Sequence, residues 1–250
     1  MEIPLKQSER IDDLQLKGLK IIQDTDGFCF GIDAVLLGNY AEVKKGAKVV
    51  DLGTGTGIIP LIIYGKNQPS KILGVEVQAE VAQMARRSMA LNQVQDTIEI
   101  LECNLKEATR HLGKAQFDVV TSNPPYMPAG RGEQNPGDKK AISRHEVLCS
   151  LEDVIRTASE LLNTSGKFFM VHRPQRLVDI LLLMRQYDLE PKSIRFVHPY
   201  AGKKANLLLV KGIKGGMAEM KMEDPLYVYK EDGTYTDEIH QIYGEIWENR

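Results

Sequence analysis

Two stretches of the chain carry residue types whose spacing can do chemistry. The first is Val49-Val50-Asp51-Leu52-Gly53-Thr54-Gly55-Thr56-Gly57-Ile58, where an apolar run breaks into alternating glycines and then resumes. A strand that ends in glycines and opens a helix leaves bare backbone at the carboxyl end of a parallel sheet, where ligands approach such folds. Gly53, Gly55 and Gly57 keep Cβ atoms out of that approach. Their G-x-G-x-G spacing departs from the G-x-G-x-x-G pyrophosphate fingerprint and no P-loop lysine follows, which makes a dinucleotide or ATP the weaker ligand. About 20 residues on, Glu76 closes Gly74-Val75-Glu76, the place from which an acid accepts hydrogen bonds from both hydroxyls of a ribose. Loop and acid together imply an adenosine carrying either a nicotinamide or a methionine. The glycines alone would be equally consistent with a tight turn.

The second stretch is Asn123-Pro124-Pro125-Tyr126, which follows directly on Asp118-Val119-Val120-Thr121-Ser122. Two prolines stiffen the chain and remove two N–H donors, leaving carbonyls as acceptors. Such a rim selects for an amino group: one proton to the Asn123 side-chain oxygen, another to the Pro124 carbonyl. Tyr126 offers a ring for a flat base or amide. Taken alone, Asn-Pro-Pro is a rigid turn. One strand after an adenosine-type acid, it reads as a site that aims a planar nitrogen.

The elements that must position these residues alternate between short apolar runs and helical periodicity, the pattern of a mainly parallel sheet covered on both faces. Strands are predicted over 48–52, 72–77, 97–101, 117–122, 167–172, 193–198 and 206–211. Val81, Met84, Ala85, Ser88 and Met89 mark one intervening helix, Leu151, Val154, Ile155, Ala158 and Leu162 a second, and Leu177, Ile180, Leu181 and Met184 a third. Ahead of them, 19–22 and 28–30 flank Asp24-Thr25-Asp26-Gly27 and predict a hairpin, with Asp33 capping the helix through Leu36 and Leu37. The fold expected is α/β, a Rossmann-like doubly wound seven-stranded sheet with an N-terminal hairpin and a short C-terminal extension. The expected organisation is one domain, 1–250, comprising hairpin and helix (1–44), cofactor-binding core (45–212) and extension (213–250). After Gly215-Gly216 the extension turns polar and aromatic, with Tyr227, Tyr229, Tyr235, Tyr243 and Trp247. It is expected to pack back on the domain or to form part of a substrate surface.

Composition narrows the class. With 42% hydrophobic and 26% charged residues the chain is an ordinary globular protein, and a net charge of -2 leaves any nucleic-acid contact to a local patch. Cys29, Cys103 and Cys149 are odd in number and lack C-x-x-C spacing, so neither a metal site nor a disulfide framework is indicated and reduced thiols in the cytoplasm are expected. No apolar run reaches the ~18 residues of a membrane span, so no signal peptide or anchor is expected.

These residues are similar to the cofactor site of the class I S-adenosylmethionine-dependent methyltransferases, and the Asn-Pro-Pro-Tyr segment resembles that of their amino-group (N-P-P-Y) branch. Further along, Phe30-Gly31-Ile32-Asp33-Ala34-Val35-Leu36-Leu37-Gly38, Ser143-Arg144-His145-Glu146 and Arg173-Pro174-Gln175-Arg176-Leu177 resemble the bacterial valine-tRNA adenine-N6 methyltransferase family, a likeness that runs from about Gly27 almost to the end of the chain. The resemblance implies S-adenosylmethionine as cofactor, with Asp51 near its methionine end, the glycine loop beside it and Glu76 on the ribose. Near the adenine the family commonly has an acid, where this chain has Asn104 in Glu102-Cys103-Asn104. It implies a catalytic segment of Asn123, Pro124, Pro125 and Tyr126, and an RNA partner, a tRNA anticodon loop whose unpaired adenine needs no duplex opening. The related glutamine methyltransferases place a helical substrate domain ahead of the glycine loop, for which the 48 residues before Val49 are too few. An rRNA guanine-N2 or protein glutamine-N5 methyltransferase remains the alternative acceptor reading, and a catalytically silent cofactor-binding module the alternative class. Arg131, Lys139, Lys140 and Arg144 in 127–144, and Lys203 with Lys204, are the candidate phosphate contacts. His145 and Glu146 stay outside the catalytic set. Oligomeric state is not indicated.

Overall fold

The computed structural model describes residues 4–27, 29–126 and 149–244. The seven predicted strands form the centre of its main sheet: β3 (Lys48–Leu52), β4 (Lys71–Glu76), β5 (Ile98–Glu102), β6 (Phe117–Ser122), β7 (Leu162–His172), β8 (Leu189–His198) and β9 (Leu207–Lys214). Their order is β8-β9-β7-β6-β3-β4-β5, with β9 the antiparallel member between β7 and β8. Alternation along each strand feeds two cores. Val49, Val119, Phe169 and Val171 face one apolar layer; Val50, Leu52, Val120, Phe168 and Met170 face the other.

Helices α1 (Ile32–Tyr40), α2 (Ile58–Asn67) and α3 (Ala79–Leu91) cover the first face; α4 (Ala108–Leu112), α5 (Leu151–Leu161) and α6 (Leu177–Gln186) cover the second. The helix α5 shows why the sequence folds this way locally. Ser150 accepts from the Asp153 amide at 3.1 Å while the Asp153 carboxylate accepts from the Ser150 amide at 3.0 Å, a capping box, and Val154, Ile155, Ala158 and Leu161 then bury one face.

The N-terminal hairpin exists but differs from the expected one. It pairs β1 (Glu9–Asp13) with β2 (Lys20–Asp24), so Asp24-Thr25-Asp26-Gly27 leads out of the hairpin instead of connecting its strands. Glu-Arg-Ile-Asp-Asp carries no apolar alternation, and Ile11 remains 41% exposed, so β1 leaves no period to read. The connecting turn uses positive φ at Gln15, Lys17 and Gly18. Tethers to α3 hold the hairpin: the Arg87 guanidinium pairs with the buried Glu9 carboxylate, and the Ser88 hydroxyl accepts from the Ile22 amide at 3.0 Å. That pairing with Arg87 holds the Glu9 carboxyl below its ordinary range.

Asp33 is also not the cap of α1. Gly31 occupies that position and Asp33 lies in the first turn, where its side chain is turned to a longer-range partner described below. In the C-terminal extension, β10 (Lys221–Met222) and β11 (Leu226–Tyr227) add to the edge of β8, widening the main sheet from seven strands to nine. Two-residue strands are too short to show a period. Leu226 and Val228, with Ile239 of α7 (Asp237–Tyr243), pack into the first core, so the extension as far as residue 244 folds back on the sheet; Trp247 lies outside the described residues.

Candidate functional site

Strand β3 pairs in parallel with β4 on one side and β6 on the other, which puts the topological switch point, the usual ligand crevice of such sheets, at the carboxyl end of β3. Register aligns the two motifs there. Leu52 pairs with Ser122, so Gly53 and Asn123 each leave the sheet one residue later from neighbouring strands about 4.8 Å apart. Glu76 ends β4 beside them, paired with Glu102 of β5.

The glycine loop is built from left-handed residues: φ is +74° at Gly53, +56° at Gly55 and +86° at Gly57. Both Gly53 and Thr54 amides donate to the Val75 carbonyl at 2.9 Å, bending the chain sharply over β4. A Cβ on Gly53 would meet nothing within 4 Å, so this glycine opens onto free space. Gly57 serves differently: a Cβ there would lie 2.7 Å from the Met89 methyl, so it lets α2 pack closely on α3. Gly74 in β4 makes room for Thr54, whose side chain lies 2.8 Å from where a Cβ would stand. The Glu76 carboxylate locks the loop, with one oxygen accepting from the Gly55 amide at 3.0 Å and the other from the Gln78 amide at 2.9 Å. Each oxygen keeps a further lone pair for a ribose hydroxyl.

Asp51 is fully buried, and the Thr121 hydroxyl donates to its Oδ1 at 2.6 Å. Burial pushes its pKa up to about 6, helped by the Glu76 charge and opposed by the Thr121 hydroxyl. Thr54 lies near enough to oppose the rise as well, but its hydroxyl does not reach hydrogen-bond geometry. Asp51 Oδ2 and the hydroxyls of buried Thr54 and Thr56 have no hydrogen-bond partner among the described residues. Buried polar atoms are normally paired, so three unmet ones around an open glycine turn fit a polar ligand that completes them. Asn104 does not join them through its oxygen, which accepts from the Lys106 amide at 3.0 Å and caps a short 3₁₀ turn, leaving its NH₂ as the donor it can present.

On the acceptor side, Asn123 and Tyr126 are half-buried and touch each other. The Tyr126 hydroxyl reaches the Asn123 side-chain oxygen at 2.6 Å and the Asp33 carboxylate at 2.5 Å. Burial, then the Asp33 charge, raises the Tyr126 pKa, so the phenol keeps its proton and donates. Its ring takes the Arg173 guanidinium at 4.7 Å from the centroid and the edge of His172 at 5.4 Å. His172 is buried and its pKa falls to about 4, through burial first and then the positive charge of Arg176. Its Nδ1 accepts from the Arg173 amide at 2.8 Å, so the neutral ring carries its proton on Nε2. The predicted site residues on β3, β4 and β6 therefore converge on one edge. Asp33, His172 and Arg173 complete the acceptor side; Asp33 and Arg173 stand within stretches singled out in the sequence, but nothing there assigned them to Tyr126. The residues 127–144, with Arg131, Lys139, Lys140 and Arg144, lie outside the described residues, as do His145 and Glu146.

The parallel sheet, with its switch-point glycine loop, Glu76 and the adjoining Asn-Pro-Pro-Tyr segment, is that of a methyltransferase whose donor is S-adenosylmethionine. Residues 31–186 match the methyltransferase small domain family, and the chain belongs to it. It is 28% identical over 213 residues to a tRNA1(Val) (adenine(37)-N6)-methyltransferase of Aeromonas hydrophila, covering 85% of this chain and 87% of that one. A protein of the same description from Phocaeicola vulgatus is 28% identical, covering 78% of this chain and 80% of its own length. Among solved structures, a predicted O-methyltransferase from Agrobacterium tumefaciens superposes with a TM-score of 0.69 at 24% identity, covering 85% of this chain and 96% of that one. Geranyl diphosphate C-methyltransferase from Streptomyces coelicolor, solved with S-adenosyl-L-homocysteine, shares the fold at a TM-score of 0.56 and 14% identity, covering 73% of this chain and 78% of that one. No helix of the described residues is long and apolar enough to cross a membrane.

Proposed function

We propose that this methyltransferase transfers a methyl group to N6 of an unpaired adenine in a tRNA anticodon loop, in the cytoplasm. The observation that carries the reading is the Leu52 to Ser122 register, which sets the open Gly53 turn and the Asn123 side chain on adjacent strand ends. The two relatives described as tRNA1(Val) adenine-N6 methyltransferases support the acceptor.

When bound, S-adenosylmethionine supplies an electrophilic methyl group on a positively charged sulfur. Glu76 would hold the ribose with the open Gly53 turn beside it, Asn104 would present its NH₂ near the base, and Asp51 in its ionised form would face the cationic methionine end. Asn123 Oδ1 and the Pro124 carbonyl would accept hydrogen bonds from the two N–H groups of the exocyclic amine, which directs its lone pair toward the methyl carbon; the thioether is the leaving group and one amine proton is released to solvent. Orientation and fixed dipoles carry the rate, because the donor is already reactive and the amine is a weak, delocalised nucleophile. Pro125 and Tyr126 keep that rim rigid. The segments 1–44, 45–212 and 213–250 act as one folding unit, held by the Arg87–Glu9 pair at one end and the burial of Leu226, Val228 and Ile239 at the other. Mass spectrometry of tRNA nucleosides from cells with and without the protein tests the assignment: loss of N6-methyladenosine from one tRNA supports it, and an unchanged nucleoside profile removes it.

A further inference from the structure

Strand β8 ends at the same sheet edge as the acceptor site. Ser122 pairs with Met170 of β7, His172 with Leu208 of β9, and Leu207 with Val197 of β8. The β8–β9 loop, 199–206, therefore lies three strand spacings from Asn123, about 14 Å, which a nucleic-acid strand rising about 3.4 Å per stacked nucleotide covers in a few nucleotides. This loop is tied to the acceptor segment directly: Arg173 lies on the Tyr126 ring and donates to the Asn206 carbonyl at 2.9 Å.

On that loop begins a row of tyrosine rings. Tyr200 leans on Tyr229 at 5.3 Å and 32°, Tyr229 stacks on Tyr235 at 5.3 Å and 15°, and Tyr235 stacks on Tyr243 at 5.8 Å and 15°. The extension shapes the row: the Val228 and Tyr229 amides donate to the His198 and Pro199 carbonyls, each at 2.9 Å, and carry Tyr229 beside the end of β8. Tyr200 is the open end, 37% exposed with Tyr229 on one side. Lys203 and Lys204 of the same loop are exposed, and neither ammonium forms an ion pair among the described residues. The acids Asp237 and Glu238 near the other end are paired, with Lys230 at 2.6 Å and Arg195 at 2.8 Å.

We infer that Tyr200, backed by this row, with Lys203 and Lys204, is a second RNA subsite: a stacking platform for an unpaired nucleobase a few nucleotides from the methylated one, with the lysines on its phosphates. Every base has a face to stack and every nucleotide an anionic phosphate, so the subsite grips the strand without reading its sequence. A lone exposed tyrosine would lose conformational entropy on binding; a ring already braced by its neighbours loses little. The inference rests on the RNA reading above, and the bond from Arg173 to Asn206 of the same loop makes it an extension of the same edge.

The test is binding of a synthetic anticodon stem-loop with an unpaired loop, against the same strand annealed to its complement, without methyl transfer. Tyr200→Ala is expected to weaken binding of the unpaired loop roughly tenfold or more, with Tyr200→Phe close to wild type because stacking needs the ring and not the hydroxyl. Lys203→Ala with Lys204→Ala is expected to lower the slope of log affinity against log salt by up to about 1.4. Cofactor affinity and Tm should hold in each variant. Wild-type affinity in Tyr200→Ala, or a wild-type preference for the annealed duplex, overturns the platform. Should Tyr200→Ala lose stability, Tyr200→Leu, which keeps apolar bulk without a ring, decides in its place: retained affinity overturns the proposal and lost affinity supports it. If the wild-type protein methylates tRNA while Tyr200→Ala binds normally, the adenine reading stands and the platform falls. If Tyr200 governs loop binding but no tRNA nucleoside is methylated, the platform stands and the adenine reading falls.

Discussion

On the donor side of the crevice, the glycine loop is held from within one strand–helix–strand unit: Glu76 reaches back 21 residues to the Gly55 amide and forward two to Gln78. On the acceptor side, Tyr126 is fixed by Asp33, 93 residues earlier, and by Arg173 from the far end of β7. The donor side is backbone turned outward by glycines, with unmet polar atoms beneath. The acceptor side is a cluster of side chains already bonded to one another. One region is poised to gain partners from its ligand, whereas the other must admit its ligand without losing the bonds that aim it. Changes on the acceptor side should therefore act mainly on transfer, and changes on the donor side on affinity and stability.

The largest effect is expected at Asn123. Asn123→Ala removes the proposed acceptor of the amine, and methyl transfer should fall about 10²–10³-fold in single-turnover assays, with cofactor affinity by calorimetry unchanged. Near-normal transfer would reduce the segment to a turn and erase the contrast between the two sides.

Asp51 comes next, because it is the donor side's stored cost. Its folded pKa of about 6 lies above the ordinary 3.8, so between about pH 4 and 6 the folded chain keeps a proton that the unfolded chain releases. Stability of the cofactor-free protein thus declines as pH rises through that window, by about 3 kcal/mol for a shift of two units. Asp51→Asn should flatten this decline and raise apo stability at pH 7.5 by up to that amount, read by urea denaturation at pH 4.5 and 7.5. Cofactor affinity should move oppositely: in the wild type it strengthens as pH rises through 6, when Asp51 ionises to face a cation, and in Asp51→Asn it is weaker and loses that dependence. Parallel pH profiles for the two proteins would dismiss Asp51 as the cation's partner.

Glu76→Ala should weaken S-adenosylmethionine binding by roughly 1–3 kcal/mol and also lower Tm, since the Gly55 amide in the loop and the Gln78 amide at the start of α3 lose their acceptor. Glu76→Gln, which keeps one acceptor oxygen, should recover part of both. A loss of affinity with no change in Tm would show that the carboxylate serves the ligand alone and that the loop holds itself.

These asymmetries also explain what the sequence discloses. The core strands and the helices α3, α5 and α6 were legible because each buries a periodic face, as α5 does with Val154, Ile155, Ala158 and Leu161. The glycine loop and Glu76 were legible because the glycine spacing, and an acid closing the next strand about 20 residues on, form a pattern readable along the chain. The strand β1 was not, since its partner β2 alone contributes buried apolar residues, Ile21 and Ile22, and its own attachment to α3 is the Arg87–Glu9 pair across 78 residues. Asp33 sat at a plausible cap position, and only the fold shows that Tyr126 competes for its carboxylate. The tyrosine row was likewise hidden, because its rings are brought together by β11 lying along β8, a pairing of two residues.

The smallest predicted effect lies in the choice the Tyr126 hydroxyl makes. It has one proton and two acceptors in reach, Asp33 at 2.5 Å and Asn123 at 2.6 Å. A carboxylate is a stronger acceptor than an amide oxygen, so the proton favours Asp33 and leaves Asn123 Oδ1 for the incoming amine. Asp33→Asn makes the two acceptors equal, and Tyr126 then competes with the substrate for Asn123. Transfer should drop by roughly 2- to 10-fold, the worth of one hydrogen bond. Tyr126→Phe in the Asp33→Asn background removes the competitor while keeping the ring beneath Arg173, and it should recover most of that loss. If the double variant is instead slower than Asp33→Asn, the hydroxyl aids Asn123 instead of competing with it, and the acceptor side works as one hydrogen-bonded unit in which each bond supports the next.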